Sequence, residues 1–396
     1  MPFTVASGKP YIHYSIIYIL SVIFAFHNVL VIFTNSSYIE KYVDPTAVGT
    51  LYTVGSAIAV LVFLFISRIL RILGNVVLTL TLAVLEITAL LLLGLSTNPG
   101  LVIVAFVLFL IINPLLFLNL DIFSETLIGD DEETTGFKRG LILTLISAAA
   151  VIAPLTIGPI VGDSGNDNLH RVYLVSAAVF SLFFLAVVAR LRQFPDPPYS
   201  TVRVRDALYS FWQNNNIRYA LLAQYVLQLN FSWLVIYAPL YLSSVVGFSW
   251  SAIGTMLAIG TLAYVLFEFP VGYIADRYIG EQEMMILGFI IMAITSASMS
   301  LITSGSLFAW IAIMFVVRIG ASLVEATVES FFFKHTKGND TYFLSFFRLT
   351  RPLAIMSGGL LGSASLLFLS FQYIFIVLGL VTLIGVFFAS KLVDTK

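Results

Sequence analysis

The sequence contains no cysteine, which excludes disulfides, thiolate zinc sites, iron–sulfur clusters and a cysteine nucleophile. Charge is scarce as well: 10% of the 396 residues are Asp, Glu, Lys or Arg, against about 25% in an ordinary soluble protein. The net charge of -1 leaves no concentrated excess of Lys and Arg for a phosphate backbone, so nucleic acid is not an expected partner. No Gly-x4-Gly-Lys-Ser/Thr loop, His-Glu-x2-His or Gly-x-Ser-x-Gly segment occurs. ATP hydrolysis, zinc proteolysis and serine hydrolysis therefore have no visible machinery, and neither an enzyme nor a cofactor or metal site is expected.

What the chain has instead is apolar length. Hydrophobic residues make up 59% of it and the mean hydropathy is +1.00, more than a soluble fold can hide. A bilayer core about 30 Å thick needs about 20 apolar residues in a helix. Such segments fall at Tyr11 to Phe33, Val48 to Ile66, Asn75 to Leu95, Leu101 to Phe123, Gly140 to Gly162 and Val172 to Leu191, then at Ile217 to Leu242, Trp250 to Ile274, Met284 to Thr303, Leu307 to Phe333, Phe343 to Phe368 and Tyr373 to Lys391. The expectation is an all-α membrane protein of twelve spans in two six-helix bundles, 1–191 and 217–396. A polar, Pro-rich linker at 192–216 joins them and carries a short amphipathic helix opening at Ser200 or Thr201. The first span is read as retained, because a cleaved signal has a shorter apolar core.

Positive residues tend to stay in the cytoplasm. Of the 20 Lys and Arg, Arg318, Arg348 and Arg351 lie within spans. All the others except Lys41 and Arg171 fall on the side of the two termini. Both termini are therefore expected to be cytoplasmic, in a multi-pass protein of the cell (plasma) membrane, a monomer whose partners are lipids and a small-molecule solute. A repeat is faint. Residues 14–74 laid over the segment beginning at Tyr219 share a Gly-Thr followed by a Gly at the start of the second span of each half: Gly49, Thr50 and Gly55 against Gly254, Thr255 and Gly260.

Polar side chains within a membrane are costly and turn toward the bundle interior or a wet cavity. The first span carries Tyr14, Tyr18, Ser21, Asn28 and Asn35 on one face. The fourth has Asn113, Phe117 and Ser124, with Asp121 at the margin and Pro114 loosening the backbone. The seventh has Gln224, Gln228 and Ser232, with Asn230, Trp233 and Tyr237 on a second stripe, and the tenth has Arg318, Ser322, Glu325 and Glu329. Tyr18, Asn28, Asn113, Phe117, Gln224, Gln228, Trp233, Arg318 and Ser322 are thus the candidate solute contacts. The sixth, ninth and twelfth spans look lipid-facing.

Each of these residues could equally be packing, since an interhelical hydrogen bond is worth about 0.6 kcal/mol on average. Arg318 is different, because a central charge costs at least about 2.5 kcal/mol unless paired or hydrated. Its candidate partners are Glu325, about 10.5 Å further along the same helix, and Glu268 on the eighth span. Either carboxylate, on losing that cation, would become a proton carrier; a static ion pair is the alternative. His27 reads as an interfacial or packing residue, and Glu86 has no partner that the sequence names.

Between the eighth and ninth spans the chain reads Gly272-Tyr-Ile-Ala-Asp276-Arg277-Tyr-Ile-Gly280, preceded by Phe-Glu268-Phe-Pro. This closely resembles the loop signature of the major facilitator superfamily. The resemblance implies a secondary transporter of two rocking bundles, with the Glu-x-Pro pointing toward proton-coupled drug-efflux members. It also implies gating roles. Gly272 would allow close packing, Asp276 would engage the fifth helix near Lys138 and Arg139, and Arg277 would pair with Glu329. Two departures stand out: Glu281 and Gln282 follow the last Gly where basic residues are usual, and the first half's loop keeps Arg71 and Gly74 but has no Asp. Pro154 and Gly158 to Gly162 partly resemble the antiporter signature of the fifth helix, but a simple kink is the favoured reading. A nutrient uptake carrier and a non-transporting receptor or scaffold on the same fold are the alternatives.

Overall fold

The computed structural model describes residues 15–128, 132–199, 211–302, 305–335 and 341–393, and in these every long element is a helix. In chain order they are α1 (Ser15–Ile32), the short α2 (Asn35–Ile39), α3 (Pro45–Leu95), α4 (Pro99–Ile128), α5 (Glu132–Val161), α6 (His170–Arg190), α7 (Asn215–Ser244), α8 (Trp250–Ile274), α9 (Glu281–Ser298), α10 (Leu307–His335), α11 (Thr341–Phe368) and α12 (Ile374–Ala389). Helix is the structure expected here because lipid offers the backbone no partner, so each segment must satisfy its own N–H and C=O groups. The amphipathic helix expected from Ser200 lies mostly outside the described residues.

Eleven of these helices are long and apolar enough to cross a membrane. One of them, α3, runs for 51 residues, about 76 Å if it were straight, and it is not straight. Gly74 has φ 74 and ψ 162, a left-handed backbone that only glycine adopts readily. Both ends of α3 return to α2: Tyr52 shares a hydrogen bond of 3.1 Å with Ser36, and the Tyr38 hydroxyl donates to the Leu93 carbonyl. The arms 45–73 and 75–95 are thus two antiparallel crossings joined at a glycine.

The exterior is oily. Leu64, Phe65, Leu182, Leu185, Ile294, Leu380 and Phe387 are all exposed, as a hydrocarbon solvent permits and water does not. The polar residues are instead inside: His27, Asn75, Glu86, Asn119, Ser176, Asn230, Ser296 and Thr382 are all fully buried.

The halves α1–α6 and α7–α12 meet along two seams. In one, Gly49 of α3 lies against the Gly359 carbonyl of α11, the Thr53 hydroxyl donates to Met356 at 3.0 Å, and Ser363 donates to Thr46 at 2.5 Å. In the other, Gly254 of α8 rests on the Pro154 carbonyl of α5, and Gly158 rests on Ser251. Of the faintly repeated glycines, Gly49 and Gly254 are therefore positions where one half touches the other, and a Cβ at either would collide with the partner helix, whereas Gly55 packs on Leu110 of α4 and Gly260 lies beside α10, each within its own half. The Pro and Gly segment of α5 serves this seam.

Both seams lie toward the side of α2, the far side from the termini. More contacts close that side: Ser37 to Ser243 at 3.0 Å, Ser244 to Glu40 at 2.5 Å, and the Trp250 indole N–H donating to Asn166 at 2.8 Å. On the termini side the start of the linker is folded onto the first half. Phe194 packs edge-on against Phe123, and Asp196 accepts the Asn75 backbone N–H at 2.8 Å.

Candidate functional site

At mid-depth, α4 of one half and α11 of the other present facing side chains. Asn113, Phe117 and Asp121 recur every four residues on α4, and Arg348 and Arg351 are three apart on α11, so each set shares a helix face. Asp121 and Arg348 form an ion pair across the halves. One turn deeper, the Arg351 guanidinium sits 4.8 Å above the Phe117 ring, a cation–π contact, while Glu325 of α10 attracts it electrostatically. Phe24 of α1 buttresses the same Phe117 ring edge-on at 4.5 Å.

Arg351 is exposed although protein rings it, and its neighbours Thr350, Pro352 and Ala354 are buried. Such a combination marks a crevice that water can enter. Helix α7 fixes α11 from behind, through Tyr225 donating to Ser357 at 2.6 Å and Ser232 donating to the Ala354 carbonyl at 2.9 Å. The site therefore offers two cations and two carboxylates on rigid helices from both halves, with an aromatic floor.

The remaining expected residues are distributed unevenly around this crevice. Tyr18, Asn113, Phe117, Gln228 and Arg318 are half-buried, whereas Asn28, Gln224, Trp233 and Ser322 are buried between helices. Ser322 spends its hydroxyl on the Ile319 carbonyl of its own helix. Arg318 lies 5.2 Å from the Phe231 ring and 5.8 Å from the Tyr264 ring. Of its two expected partners, Glu325 serves Arg351. The side chains of Glu268, Asp276 and Arg139 and the surroundings of Gly272 lie outside the described residues. The backbone 275–279 forms a π-helical turn that ends at Gly280 with φ 118. Arg277 and Glu329 are exposed beyond the crevice, and Lys138 is half-buried.

Two constellations escaped the sequence. Glu281, where the signature expects a basic residue, is buried at the start of α9 and held by Lys334 at 2.9 Å and Ser330 at 2.5 Å. The second is His27, which is no interfacial residue: it is fully buried, 3.4 Å from Glu86 through Nε2 and 2.6 Å from Ser176 through Nδ1. The sixth, ninth and twelfth spans are not merely lipid-facing either. Ser176, Ser296 and Thr382 turn inward to bond His27 and Asn230.

Residues 220–396 match the family model described as Major Facilitator Superfamily. No curated protein matches the chain by sequence. Among solved structures, the nucleoside transporter NupG superposes with a TM-score of 0.71 at 14% identity, over 96% of this chain and 98% of that one. A POT family transporter in complex with 5-aminolevulinic acid gives 0.76 at 15% identity, over 94% of each chain. At such identities the likeness is one of fold, and it extends over both halves where the family model covers the second. The second half of the chain thus matches the major facilitator superfamily model, and the whole chain has the fold of these transporters.

Proposed function

We propose that this protein is a secondary transporter that carries a small polar organic solute through the crevice between α4 and α11 by alternating access. The observation that carries the reading is Arg351: a cation held at mid-depth, open to water, at the junction of two halves that are sealed against each other on the far side. An arginine there presents a planar fork of donors suited to a carboxylate or other anionic group on a solute, and Asn113, Phe117, Gln228 and Arg318 supply polar and aromatic contacts around it. The two transporters of like fold named above handle a nucleoside and bind 5-aminolevulinic acid, which favours a polar solute over an apolar drug.

The energy source is a gradient, and Glu325, shared between crevice and Arg351, is the proposed proton carrier, with Glu268 on α8 as its companion. Solute and proton would then exchange, the sequence favouring efflux; uptake uses the same parts in the other sense. The signature loop with Gly272, Asp276 and Arg277, together with Glu329, Lys138 and Arg139, is the proposed latch on the termini side. That side is the cytoplasmic one by the positive-charge bias, and the protein works as a monomer in the plasma membrane.

The test uses the chain reconstituted in liposomes with a panel of labelled nucleosides, amino acids and carboxylates under an imposed pH gradient. At least one solute exchanges with wild type, the sign of the proton response gives the direction, and Arg351→Gln lowers exchange by about thirty-fold, ~2 kcal/mol. The absence of native cysteine allows a second arm: Ser37→Cys with Ser243→Cys, oxidised, holds the far side shut and stops exchange. A wild type that moves nothing from the panel while this crosslink forms would overturn the transport reading in favour of a scaffold.

A further inference from the structure

We propose that His27 and Glu86 form a second proton-binding site, inside the first half, that exchanges its proton with water of the crevice on the side lined by Asn113. Both side chains are fully buried, with Nε2 of one 3.4 Å from Oε1 of the other. With the Ser176 hydroxyl donating to the His27 carbonyl at 3.3 Å, its oxygen is left to accept from Nδ1–H at 2.6 Å, and this is the tautomer assigned to the site. The imidazole therefore turns a bare Nε2 lone pair toward Glu86. Among the described residues neither carboxyl oxygen has a hydrogen-bond partner in place, and the Asn113 amide is the other polar group that faces them. An ionised carboxylate beside a neutral imidazole would be an uncompensated charge in apolar protein. The pair thus holds one proton, resting on Oε1 and turned toward the bare Nε2, and a shift of about half an ångström closes the hydrogen bond between them.

Among the described residues no other charged group is placed to compensate that charge. Helix α5 carries no titratable residue between 141 and 161. From α6 come Ser176 and the Phe180 ring stacked on His27 at 4.4 Å; its Tyr173 is engaged with Asn35 and its His170, Arg171 and Arg190 stand at its ends. Besides Glu86, α3 has Tyr52, Arg68 and Arg71 on its first arm, and α4 has only Asp121 and Glu125, two and three turns beyond Asn113. The way out is short. Asn113 is half-buried, faces the Glu86 carboxyl and stands one turn from Phe117 and the crevice. Phe24 packs on both Phe117 and His27, so a change at the pair is felt at the floor under Arg351.

A proton site of this kind deepens the transport reading and rests on it for its role, but it can be tested without any solute. Infrared difference spectra of the purified chain in lipid nanodiscs, between about pH 5 and about pH 9 and in D2O, should show a protonated-carboxyl band that Glu86→Gln removes and Glu325→Gln leaves. Its hydrogen should exchange for deuterium, and Asn113→Leu should slow that exchange by about tenfold or more. A missing band, a band that survives Glu86→Gln, or one that exchanges no deuterium in wild type would overturn the proposal. Monodisperse nanodiscs of each variant establish that the fold is intact, and if Glu86→Gln does not assemble, the band's loss of intensity in His27→Gln serves in its place. Failure of the liposome panel alone would count against transport and leave this proton intact.

Discussion

The two halves face the same packing problem and solve it differently. In each, the opening helix must be tied to the third and sixth crossings through the middle of the bundle. The second half does it with neutral groups: Asn230 donates to Ser296 at 3.2 Å and to Thr382 at 3.0 Å. The first half uses His27, Glu86 and Ser176. Ser176 and Thr382 are separated by the same stretch of chain as the turn glycines Gly74 and Gly280, so the two clusters occupy corresponding places. Packing there requires an amide and two hydroxyls and nothing more. An acid and a base in the corresponding place therefore answer a different need, which is the reason to read them as a proton site.

The comparison is broken most sharply by removing the opening helix's member of each cluster. His27→Leu leaves a buried carboxyl group without its partner, at a cost of about 1–3 kcal/mol. Asn230→Leu leaves two hydroxyls, and Thr382 already donates to Leu378 at 2.7 Å, so its loss should lie near the ~0.6 kcal/mol average for bonds between membrane helices. Thermal unfolding in detergent ranks the two, and His27→Leu with Glu86→Leu should recover most of the first loss. Equal costs would mean that the ionisable pair is packing after all.

The turns between the second and third crossings differ in the same spirit, and here the larger effect belongs to the second half. Behind Gly280, Glu281 is buried and bonded to Lys334 and Ser330. Glu281→Ala should cost about 1.5 kcal/mol, the value of a charge-assisted bond and less than that of a sealed ion pair, because the Lys334 side chain is 44% exposed. Lys334→Met should cost less than Glu281→Ala, since Ser330 continues to donate to the carboxylate. The reverse ranking would show that the lysine carries the contact.

Much of this architecture was legible in the sequence, because a span of about 20 apolar residues is a local signal and a glycine between two spans is another. The polar faces of the fourth and tenth helices were legible by phase. Phase names a face, however, and never the helix that it meets. His27 and Ser176 are 149 positions apart, and Asp121 and Arg348 lie in different halves. Arg318 illustrates the same gap from the other side: phase did not name the Phe231 and Tyr264 rings that the structure sets beside its guanidinium. Glu281 was visible as a departure from the signature, but the lysine that balances it lies a whole helix away.

The smallest expected effect concerns the first half's turn. There Gly74 leads into Asn75, whose N–H is capped from outside the bundle by Asp196 of the linker, which also accepts from the Tyr199 hydroxyl at 2.6 Å. Asp196→Ala should cost about 1 kcal/mol or less, as loss of a helix cap does, and Asp196→Asn should keep most of it by retaining an acceptor. Burial, together with the bond to Asp196, holds the Tyr199 phenol above the ordinary tyrosine range. Its contribution is therefore fully present below about pH 10 and is lost as the pH rises beyond that, where the unfolded chain ionises first. A pH–stability curve that falls above that point in wild type, and flattens in Tyr199→Phe, would show that the linker is part of the first half's fold. A linker that merely tethers two bundles would give identical curves for both.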